Sequence, residues 1–469
     1  MAKYVVLGNV DAGKSTFIGV MKNKTLDDGR GSARSTIVKL KHEAEFGRTS
    51  SHSLHYIVCE KEIVREKQII RDDEIVNTKE IVCQNEITTL IDLCGHERYF
   101  KTTLFGVMGL FCDYGIITIA ANDGLGNIER EYSSVKSNTV SMTKEHIMLL
   151  MYLKIPFIIV VTKMDVCTQN SLITLKKQIG KIFSKDKNRN REALYVENDI
   201  NEKPEDIVKI KDTVRESFKA NNTNIVPIIM TSSKTGLNID FVRDLLTSIP
   251  SKSINFMEEL KVADDQEKTF PPVMFVDNTY SVSGVGIVLS GTVKYGDIKL
   301  GDSLFVGPLD GEYIPITVKS IHNCISQSVD ILPADSSGSI AIRLETKKSY
   351  MRRMFHKGQI ITPDLTFAEN HTCRNMRCII GLFDHSTMIR NGYQTVVHCL
   401  TIRQSVRFRM EKETYLNSNQ KAEIDIQFSL RPEFVLPGSY FMFRDGKTKG
   451  MGKVMSIEPI TRNRKKSKK

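Results

Sequence analysis

Residues 8–16 read Gly8-Asn9-Val10-Asp11-Ala12-Gly13-Lys14-Ser15-Thr16, a sequence of the form G-x-x-x-x-G-K-S. The apolar run Tyr4-Val5-Val6-Leu7 precedes it and predicts a strand, and residues 16–21 predict the first turns of a helix. A glycine loop between a strand and a helix is the setting in which this pattern binds phosphate. Backbone N–H groups and the positive end of the helix surround the phosphate oxygens there. The sequence therefore predicts a nucleotide-binding loop.

Two side chains of this loop have specific expected roles. Lys14 is placed to neutralise the charge of the β- and γ-phosphates, and the Ser15 hydroxyl is placed to bind Mg²⁺. The loop residues that we expect to contact the nucleotide are Asn9, Val10, Asp11, Ala12, Gly13, Lys14, Ser15 and Thr16.

A second predicted strand end carries residues for the metal and the outer phosphate. The run Ile87-Thr88-Thr89-Leu90-Ile91 leads into Asp92-Leu93-Cys94-Gly95. An aspartate at this point commonly acts on the Mg²⁺ shell through water, and the Gly95 N–H can meet the γ-phosphate. We therefore expect Asp92 and Gly95 to belong to the same site as the glycine loop.

Two further strand ends predict which base is bound. A buried-strand pattern over residues 156–161 runs into Thr162-Lys163-Met164-Asp165, and the apolar run 225–230 ends in Thr231-Ser232-Ser233-Lys234. The Asp165 carboxylate can accept hydrogen bonds from the two N–H groups on the guanine edge, which adenine does not offer. We expect the base to be guanine and to be contacted by Thr162, Lys163, Asp165, Ser232, Ser233 and Lys234.

These motifs resemble those of the translational GTPases, the group of elongation factor Tu, elongation factor one-alpha and the eukaryotic release-factor GTPase. Gly8-Asn9-Val10-Asp11 is similar to their G-x-V-D opening, and residues 92–97 are similar to their D-x-x-G-H signature. More narrowly, residues 26–34, 42–51 and 92–103 resemble the GTP-binding protein 1 and 2 family. The resemblance covers essentially the whole chain. It implies an α/β P-loop GTPase domain with a mostly parallel sheet, followed by two β-barrel domains, with GTP or GDP and Mg²⁺ bound.

The resemblance also assigns roles to three residues. Thr49 is expected to join Ser15 as a Mg²⁺ ligand and to release after hydrolysis. His96 is expected to orient the attacking water, the alternative being a surface histidine in a mobile loop. Asp11 is expected either to help bind a monovalent cation beside the phosphates or to cap the turn.

Two positions depart from the wider pattern. Thr162 stands where most GTPases carry asparagine, and a threonine cannot offer both a carbonyl and an amide, so we expect one bridging hydrogen bond to be weakened. Arg48 stands where elongation factor Tu has an aliphatic residue, which is part of an apolar gate around the catalytic histidine. Val10 supplies one apolar side of that gate here, but Arg48 cannot supply the other. We therefore expect the gating of the histidine to differ. With no arginine assignable to the phosphates, we expect slow turnover that a partner accelerates.

Composition limits the class of protein. A chain of 469 residues is expected to form two to three domains. Its hydrophobic fraction is 41% with no apolar run long enough to cross a bilayer, and the first strand starts close to the N-terminus, so we expect neither a membrane span nor a signal peptide. Nine cysteines are an odd number that favours a reducing compartment. Together these features predict a cytoplasmic protein.

Two clusters of residues have a functional and a plain interpretation. Cys373 and Cys378, with His371 and His398 nearby, match no common zinc spacing, so we expect packed free thiols. The formal net charge is +11, and six basic residues lie in residues 462–469. This tail is expected to be disordered and either to contact RNA phosphates or to serve as a solubilising or nuclear-targeting patch.

Pattern changes along the chain predict its domains. Within the first domain, residues 60–78 predict a polar ribbon or loop, and residues 185–206 predict a surface insertion. The predicted divisions are a P-loop GTPase domain at 1–250, a linker at 251–269, a β-barrel domain at 270–365, a second β-barrel domain at 366–460 and a basic tail at 461–469.

The leading functional hypothesis is a monomeric GTPase that hydrolyses GTP as a switch with the ribosome, tRNA or RNA-decay machinery. A second hypothesis is a GTP-binding RNA adaptor with little hydrolysis. A third is a GTPase subunit of sulfate activation, against which residues 26–51 argue.

Overall fold

The computed structural model describes residues 2–38, 49, 51–71, 74–122, 142–184, 192–196, 204–220, 224–251, 270–345, 354–382, 388–411, 415–417, 420–445 and 448–460. By contacts the chain divides into two compact units, one of Met1–Gly106 with Cys112–Lys252 and one of Val107–Phe111 with Ser253–Lys469. The expected architecture is confirmed: an α/β domain with a mostly parallel sheet is followed by two β-barrels. Among the described helices, none is long and apolar enough to span a bilayer.

The first unit alternates strands and helices. Its strands are β1 (Lys3–Gly8), β2 (Ser53–Arg71), β3 (Glu74–Asp92), β4 (Tyr114–Ala120), β5 (Phe157–Thr162), β6 (Glu192–Val196) and β7 (Ile225–Met230). Its helices are α1 (Lys14–Asn23), α2 (Ser32–Ser35), α3 (Phe100–Gly109), α4 (Met142–Tyr152), α5 (Gln169–Ser184), α6 (Pro204–Lys219) and α7 (Ile239–Ser248), with 3₁₀ turns at Glu97–Tyr99 and Met164–Val166.

The sheet of this unit has the strand order β2-β3-β1-β4-β5-β7-β6. Every neighbouring pair is parallel except β2 with β3. Strands β1, β4 and β5 are buried along their whole length, as expected for parallel strands covered on both faces. Because the carboxyl ends of parallel strands meet at one edge, the loops after β1, β3, β5 and β7 gather there, where sheets of this kind bind ligands.

Two predictions about polar segments had different outcomes. Residues 60–71 and 74–78 lie in an antiparallel ribbon, since β2 and β3 pair from Ser53 with Asp92 to Arg71 with Glu74. Of residues 185–206, the structure describes 192–196, which form the edge strand β6 paired in parallel with β7, and 204–206, which begin α6. Only the last residue of β6, Val196, is buried, which explains why no buried-strand pattern marked it.

The first barrel closes on itself. Its strands are β8 (Val273–Val282), β9 (Gly286–Tyr295), β10 (Ile298–Lys299), β11 (Ser303–Leu309), β12 (Glu312–Asn323), β13 (Ser328–Val329), β14 (Ile331–Leu332), β15 (Ser337–Leu344) and β16 (Ile360–Thr362). Six of them form the ring β11-β16-β8-β9-β15-β12, which the pairing of β11 with β12 completes. Apolar side chains such as Met274, Val293 and Ile340 fill its interior.

The second barrel is closed in the same way. Its elements are α8 (Leu365–Asn370), β17 (Thr372–Leu382), β18 (Ile389–Arg390), β19 (Gln394–Cys399), β20 (Ile402–Arg409), β21 (Tyr415–Leu416), β22 (Lys421–Phe428), β23 (Glu433–Phe434), β24 (Tyr440–Asp445) and β25 (Thr448–Pro459). Six strands form the ring β22-β20-β19-β24-β25-β17, which β22 and β17 complete. Strands β24 and β25 form an antiparallel hairpin that pairs from Tyr440 with Lys453 to Asp445 with Thr448.

The second barrel also contains buried titratable groups. Cys373 and Cys378 are free, buried thiols, and burial raises the pKa of Cys373 to about 12. Glu433 is 1% exposed and accepts hydrogen bonds from Gln404 Nε2 at 2.5 Å and Arg431 Nε at 3.2 Å. Burial raises the pKa of Glu433 to about 7, although the positive charge of Arg431 acts in the opposite direction.

Candidate nucleotide-binding site

The glycine loop joins the end of β1 to the start of α1. Gly13 precedes the helix with a φ of 81°, a left-handed conformation that favours glycine, and its carbonyl accepts the first helical bond from Phe17 N at 2.9 Å. The N-terminus of α1 therefore opens directly from the loop, with its unpaired N–H groups available to an anion.

Lys14 is buried at the base of this loop. Its Nζ donates to the carbonyl oxygen of Asn9 at 2.8 Å and to that of Gly8 at 3.4 Å. Burial lowers the pKa of Lys14, and the Asp92 carboxylate acts against that shift. An anion bound beside Lys14 would favour its charged form in the same way.

Gly95, in the loop after β3, lies against the glycine loop. A Cβ built on Gly95 would lie 2.5 Å from Lys14 Nζ and 2.8 Å from the carbonyl carbon and oxygen of Asn9. Only glycine leaves room for this approach of the two loops. The backbone at Gly95 is therefore adjacent to the ammonium expected to bind the outer phosphates.

Three oxygen-bearing side chains meet beside Lys14. Ser15 Oγ donates to Asp92 Oδ2 at 2.9 Å and lies 3.3 Å from Thr49 Oγ1. Ser15 and Asp92 are both buried. Two hydroxyls and a carboxylate are hard oxygen donors, which Mg²⁺ prefers. The residues predicted to bind Mg²⁺ are therefore together and chemically fit for it.

Thr162, at the end of β5, connects the base-binding end to the glycine loop. Its hydroxyl donates to the Ala12 carbonyl oxygen at 2.9 Å and lies 3.4 Å from that of Ile119. Thr162 and Ala12 are 3% exposed. A single O–H thus reaches the loop that the usual asparagine would be expected to reach, so this bridge is present without the amide.

The predicted guanine-recognition residues also come together. Ser232 Oγ donates to Asp165 Oδ1 at 2.7 Å and accepts from Thr235 N at 3.2 Å. Ser232 is fully buried, whereas Asp165 is exposed, so the serine can hold the carboxylate in place while Asp165 stays accessible to a base. Ser233 and Lys234 follow in the same loop and contact residues 27–29.

A cavity of about 290 Å³ lies over the glycine loop. It is lined by Val10, Asp11, Gly13, Lys14, Ser15, Thr16, Arg34, Thr49, Gly95, His96 and Lys163. The structure thus brings Thr49 and His96 to the phosphate-binding residues. Asp92, Thr162 and Ser232 are hydrogen-bonded to Ser15, Ala12 and Asp165, respectively. Arg48 and the basic tail lie outside the described residues.

The His96 ring is exposed at the rim of this cavity. The backbone N–H of Arg98 donates to His96 Nδ1 at 3.1 Å, and the ring of Tyr99 lies edge-on at 6.3 Å between centroids. A neutral imidazole that accepts at Nδ1 carries its proton on Nε2. His96 can therefore offer an N–H donor from Nε2 to a group in the cavity.

Arg34 is the cavity residue that the sequence analysis did not assign. It lies on α2, after a polar segment with no phosphate-binding motif. The signal available in the sequence was the arginine within the stretch 26–34 that resembles the narrower family. The position of Arg34 at the cavity depends on how residues 26–34 pack against the rest of the domain. Local sequence patterns do not predict such packing.

Comparisons with known proteins identify the family of this domain and of the whole chain. Residues 1–260 match the family model of the elongation factor Tu GTP binding domain. GTP-binding protein 1 of Xenopus laevis is 30% identical over 463 residues, which are 98% of this chain and 64% of that protein. GTP-binding protein 2 of Mus musculus is 30% identical over 467 residues, which are 98% of this chain and 70% of that protein.

The fold is also found among solved structures. Translation elongation factor SelB from Methanococcus maripaludis, in complex with the GTP analogue GppNHp, has a TM-score of 0.59 and 16% identity, and the match covers 98% of this chain and 80% of that chain. The family model matches more than half of the chain, and GTP-binding protein 2, of which the match covers 70%, is 30% identical to it. These two findings identify the family. The chain belongs to the GTP-binding protein 1 and 2 family of translational GTPases, and its residues 1–260 match the elongation factor Tu GTP binding domain.

Proposed function

We propose that this protein hydrolyses GTP to GDP and phosphate as a switch coupled to the ribosome or tRNA. The observation that carries the proposal is that Thr49 and His96 line the same cavity as Lys14 and Ser15. Thr49, which we assign to the γ-phosphate side, and His96, which we assign to the attacking water, thus belong to one site. RNA-decay machinery is a further partner class compatible with such a switch, and an action on ribosomes would place the protein in the cytoplasm.

The binding step is assigned as follows. Lys14 and the N–H groups of residues 13–16 bind the phosphates, and Asp165, held by Ser232, reads the two guanine donors. Ser15 and Thr49 are proposed to hold Mg²⁺, with Asp92 behind Ser15, and that ion would neutralise phosphate charge. Asp11, which lines the cavity, remains a candidate for a monovalent cation site.

The chemical step is an in-line displacement at the γ-phosphorus. A bond forms between the water oxygen and the γ-phosphorus while the bond to the bridging oxygen of GDP breaks, and the protons of the water pass to phosphate and solvent. His96 orients the water or the developing charge through Nε2, and a protonated imidazole would add electrostatic stabilisation. Thr49 loses its interaction on the γ-phosphate side when phosphate leaves, so the switch has one state with GTP bound and another with GDP bound.

Single-turnover cleavage of GTP, with and without saturating ribosomes, tests this proposal. His96→Ala should keep GTP binding and lose roughly 10²- to 10⁴-fold in ribosome-stimulated rate, and His96→Gln should keep part of it. His322→Ala, in the first barrel, is the matched control and should cleave at the wild-type rate.

The outcomes separate the functional classes. Cleavage at the wild-type rate by His96→Ala would remove His96 from the mechanism. A wild-type protein that binds GTP but does not cleave it, with or without ribosomes, would instead favour a GTP-binding RNA adaptor. A wild-type protein that is stimulated by neither ribosomes nor tRNA would contradict the partner assignment.

A further inference from the structure

Arg34 is a cation of the phosphate cavity in addition to Lys14 and Lys163. It comes from α2, outside the four strand-end motifs, and its side chain is half-buried. The residues that share the cavity with it include Ser15, Thr49 and His96, which the proposed function assigns to the γ-phosphate side. An arginine at this place can reach a ligand that those residues bind.

Three cations, Lys14, Arg34 and Lys163, line the cavity together with one carboxylate, Asp11, so the lining carries a net positive charge. Burial has the largest effect on the pKa of Lys14 and lowers it, Asp92, Cys94 and Asp11 raise it, and the positive charge of Arg34 lowers it by the smallest effect. Two cations that repel each other at one cavity are stabilised when an anion lies between them. A triphosphate is such an anion, and a planar guanidinium can hold a phosphate through two parallel hydrogen bonds.

Two carboxylates, Asp27 and Asp28, hold the turn before Arg34, and Asp28 Oδ1 accepts from Arg30 N at 2.8 Å and Ser32 N at 3.2 Å. Asp27 is 9% exposed, and its Oδ1 accepts from Ala33 N at 3.0 Å. Its Oδ2 accepts from Gly29 N at 2.9 Å and Gly31 N at 3.3 Å. These bonds organise the turn immediately before Arg34, so the position of the guanidinium depends on Asp27.

The same turn is anchored to the base-binding loop. Asp27 N donates to the Ser233 carbonyl oxygen at 2.9 Å, and the aliphatic part of Lys234 packs beside Gly29. The base-binding loop and the arginine at the phosphates are therefore connected through a few residues. A guanine that orders residues 232–234 would also favour the conformation that presents Arg34.

We propose that Arg34 binds the γ-phosphate of GTP as an arginine supplied by the chain itself, and that Asp27 is its positioning residue. The proposal rests on the proposed function for the identity of the nucleotide and deepens it by naming a residue that distinguishes GTP from GDP. Arg34 would contact GTP before cleavage and lose that contact when phosphate departs. It would also stabilise negative charge on the γ-phosphoryl oxygens during cleavage.

Equilibrium binding of fluorescent GTP analogues that cannot be cleaved, and of the matching GDP, is the decisive experiment. Arg34→Ala should lower the preference for the triphosphate over the diphosphate roughly tenfold to a hundredfold, because one charged hydrogen-bond pair is lost. Arg34→Lys should recover part of that loss, since it keeps the charge but not the fork. Arg30→Ala removes the same charge from an exposed position of the same segment and should change the preference less than twofold.

A preference that stays within twofold of wild type in Arg34→Ala would overturn the proposal. The unliganded thermal midpoint is measured in parallel, and Arg34→Lys provides the reading if Arg34→Ala fails to fold. Because the analogues are not cleaved, this result does not depend on whether the protein hydrolyses GTP. Absence of GTP cleavage by the wild type would contradict the proposed function without touching the assignment of Arg34.

Asp27 is tested by a double-mutant comparison. Asp27→Asn should lower the triphosphate preference in the wild-type background and add no further loss in the Arg34→Ala background. An equal loss in both backgrounds would mean that Asp27 acts on the site by another route and would overturn its assignment as the positioning residue.

Discussion

Replacing Thr162 by valine should loosen the glycine loop from the base-binding end of the site. Valine keeps the shape and β-branching of threonine but removes the hydroxyl that donates to the Ala12 carbonyl oxygen at 2.9 Å. Both residues are 3% exposed, so water cannot readily replace the lost donor. An unsatisfied buried acceptor of this kind costs about 1–3 kcal/mol.

The energy should appear in two measurements. Native-state hydrogen exchange should show the local opening free energy of the amides at residues 12–15 lowered by about 1–3 kcal/mol. GTP affinity should fall by no more than the same energy, up to about a hundredfold, because the unliganded loop would populate other conformations.

Thr162→Ser is the matched control for this prediction. It keeps the O–H donor and removes only a methyl group, so it should lose about 1 kcal/mol of local stability while keeping its GTP affinity. If Thr162→Val exchanged its loop amides and bound GTP as the wild type does, the reasoning about the Thr162–Ala12 bond would be refuted.

Three further changes test other parts of the structure. Asp165→Asn should shift preference from guanine to xanthine nucleotides, whose edge has an acceptor where guanine has a donor; calorimetry showing unchanged GTP preference would contradict it. Gly95→Ala should push Lys14 Nζ away, costing about 1–3 kcal/mol and weakening GTP binding, as titration should show. The pKa of Glu433 is about 7 in the folded protein and 4.5 ordinarily, so the free energy of unfolding should fall as pH rises from about 4.5 to 7 and stay constant above. Glu433→Gln should remove about 3 kcal/mol of that fall, as denaturation measured at a series of pH values should show.

The sequence was sufficient for the parts of the site that depend on local patterns. The strand, the glycine loop and the helix around Lys14 are contiguous, so motif and periodicity together predicted them. Asp92 and Thr162 were placed correctly at strand ends because the run before Asp92 passes from alternating to apolar residues and the buried run before Thr162 is apolar. The boundaries of the domains remain predictions, since the residues around 252–269 are not described.

The parts that could not be predicted depend on contacts between distant residues. Arg34 reaches the phosphate cavity because Asp27 folds the preceding turn and bonds to Ser233, and neither contact has a sequence period. The hydroxyl of Thr162 could be recognised as a change from asparagine, but its acceptor, Ala12, is known only from the packing of the two loops. Edge strand β6 was missed because its side chains are mostly partly exposed.

The closure of the second barrel has a consequence for the order in which the chain can fold during synthesis. Strand β17 pairs with β25, with Cys373 opposite Pro459. The first strand of this barrel therefore cannot complete its pairing until the last strand has been synthesised. Strand β1, in contrast, finds its partner β4 once Thr118 has been made. Until β25 emerges, β17 and β24 each keep an unpaired edge, the kind of surface that associates with other chains. Chains cut short before Thr448 should therefore aggregate through this barrel, while the GTP-binding domain, completed much earlier, can already have folded.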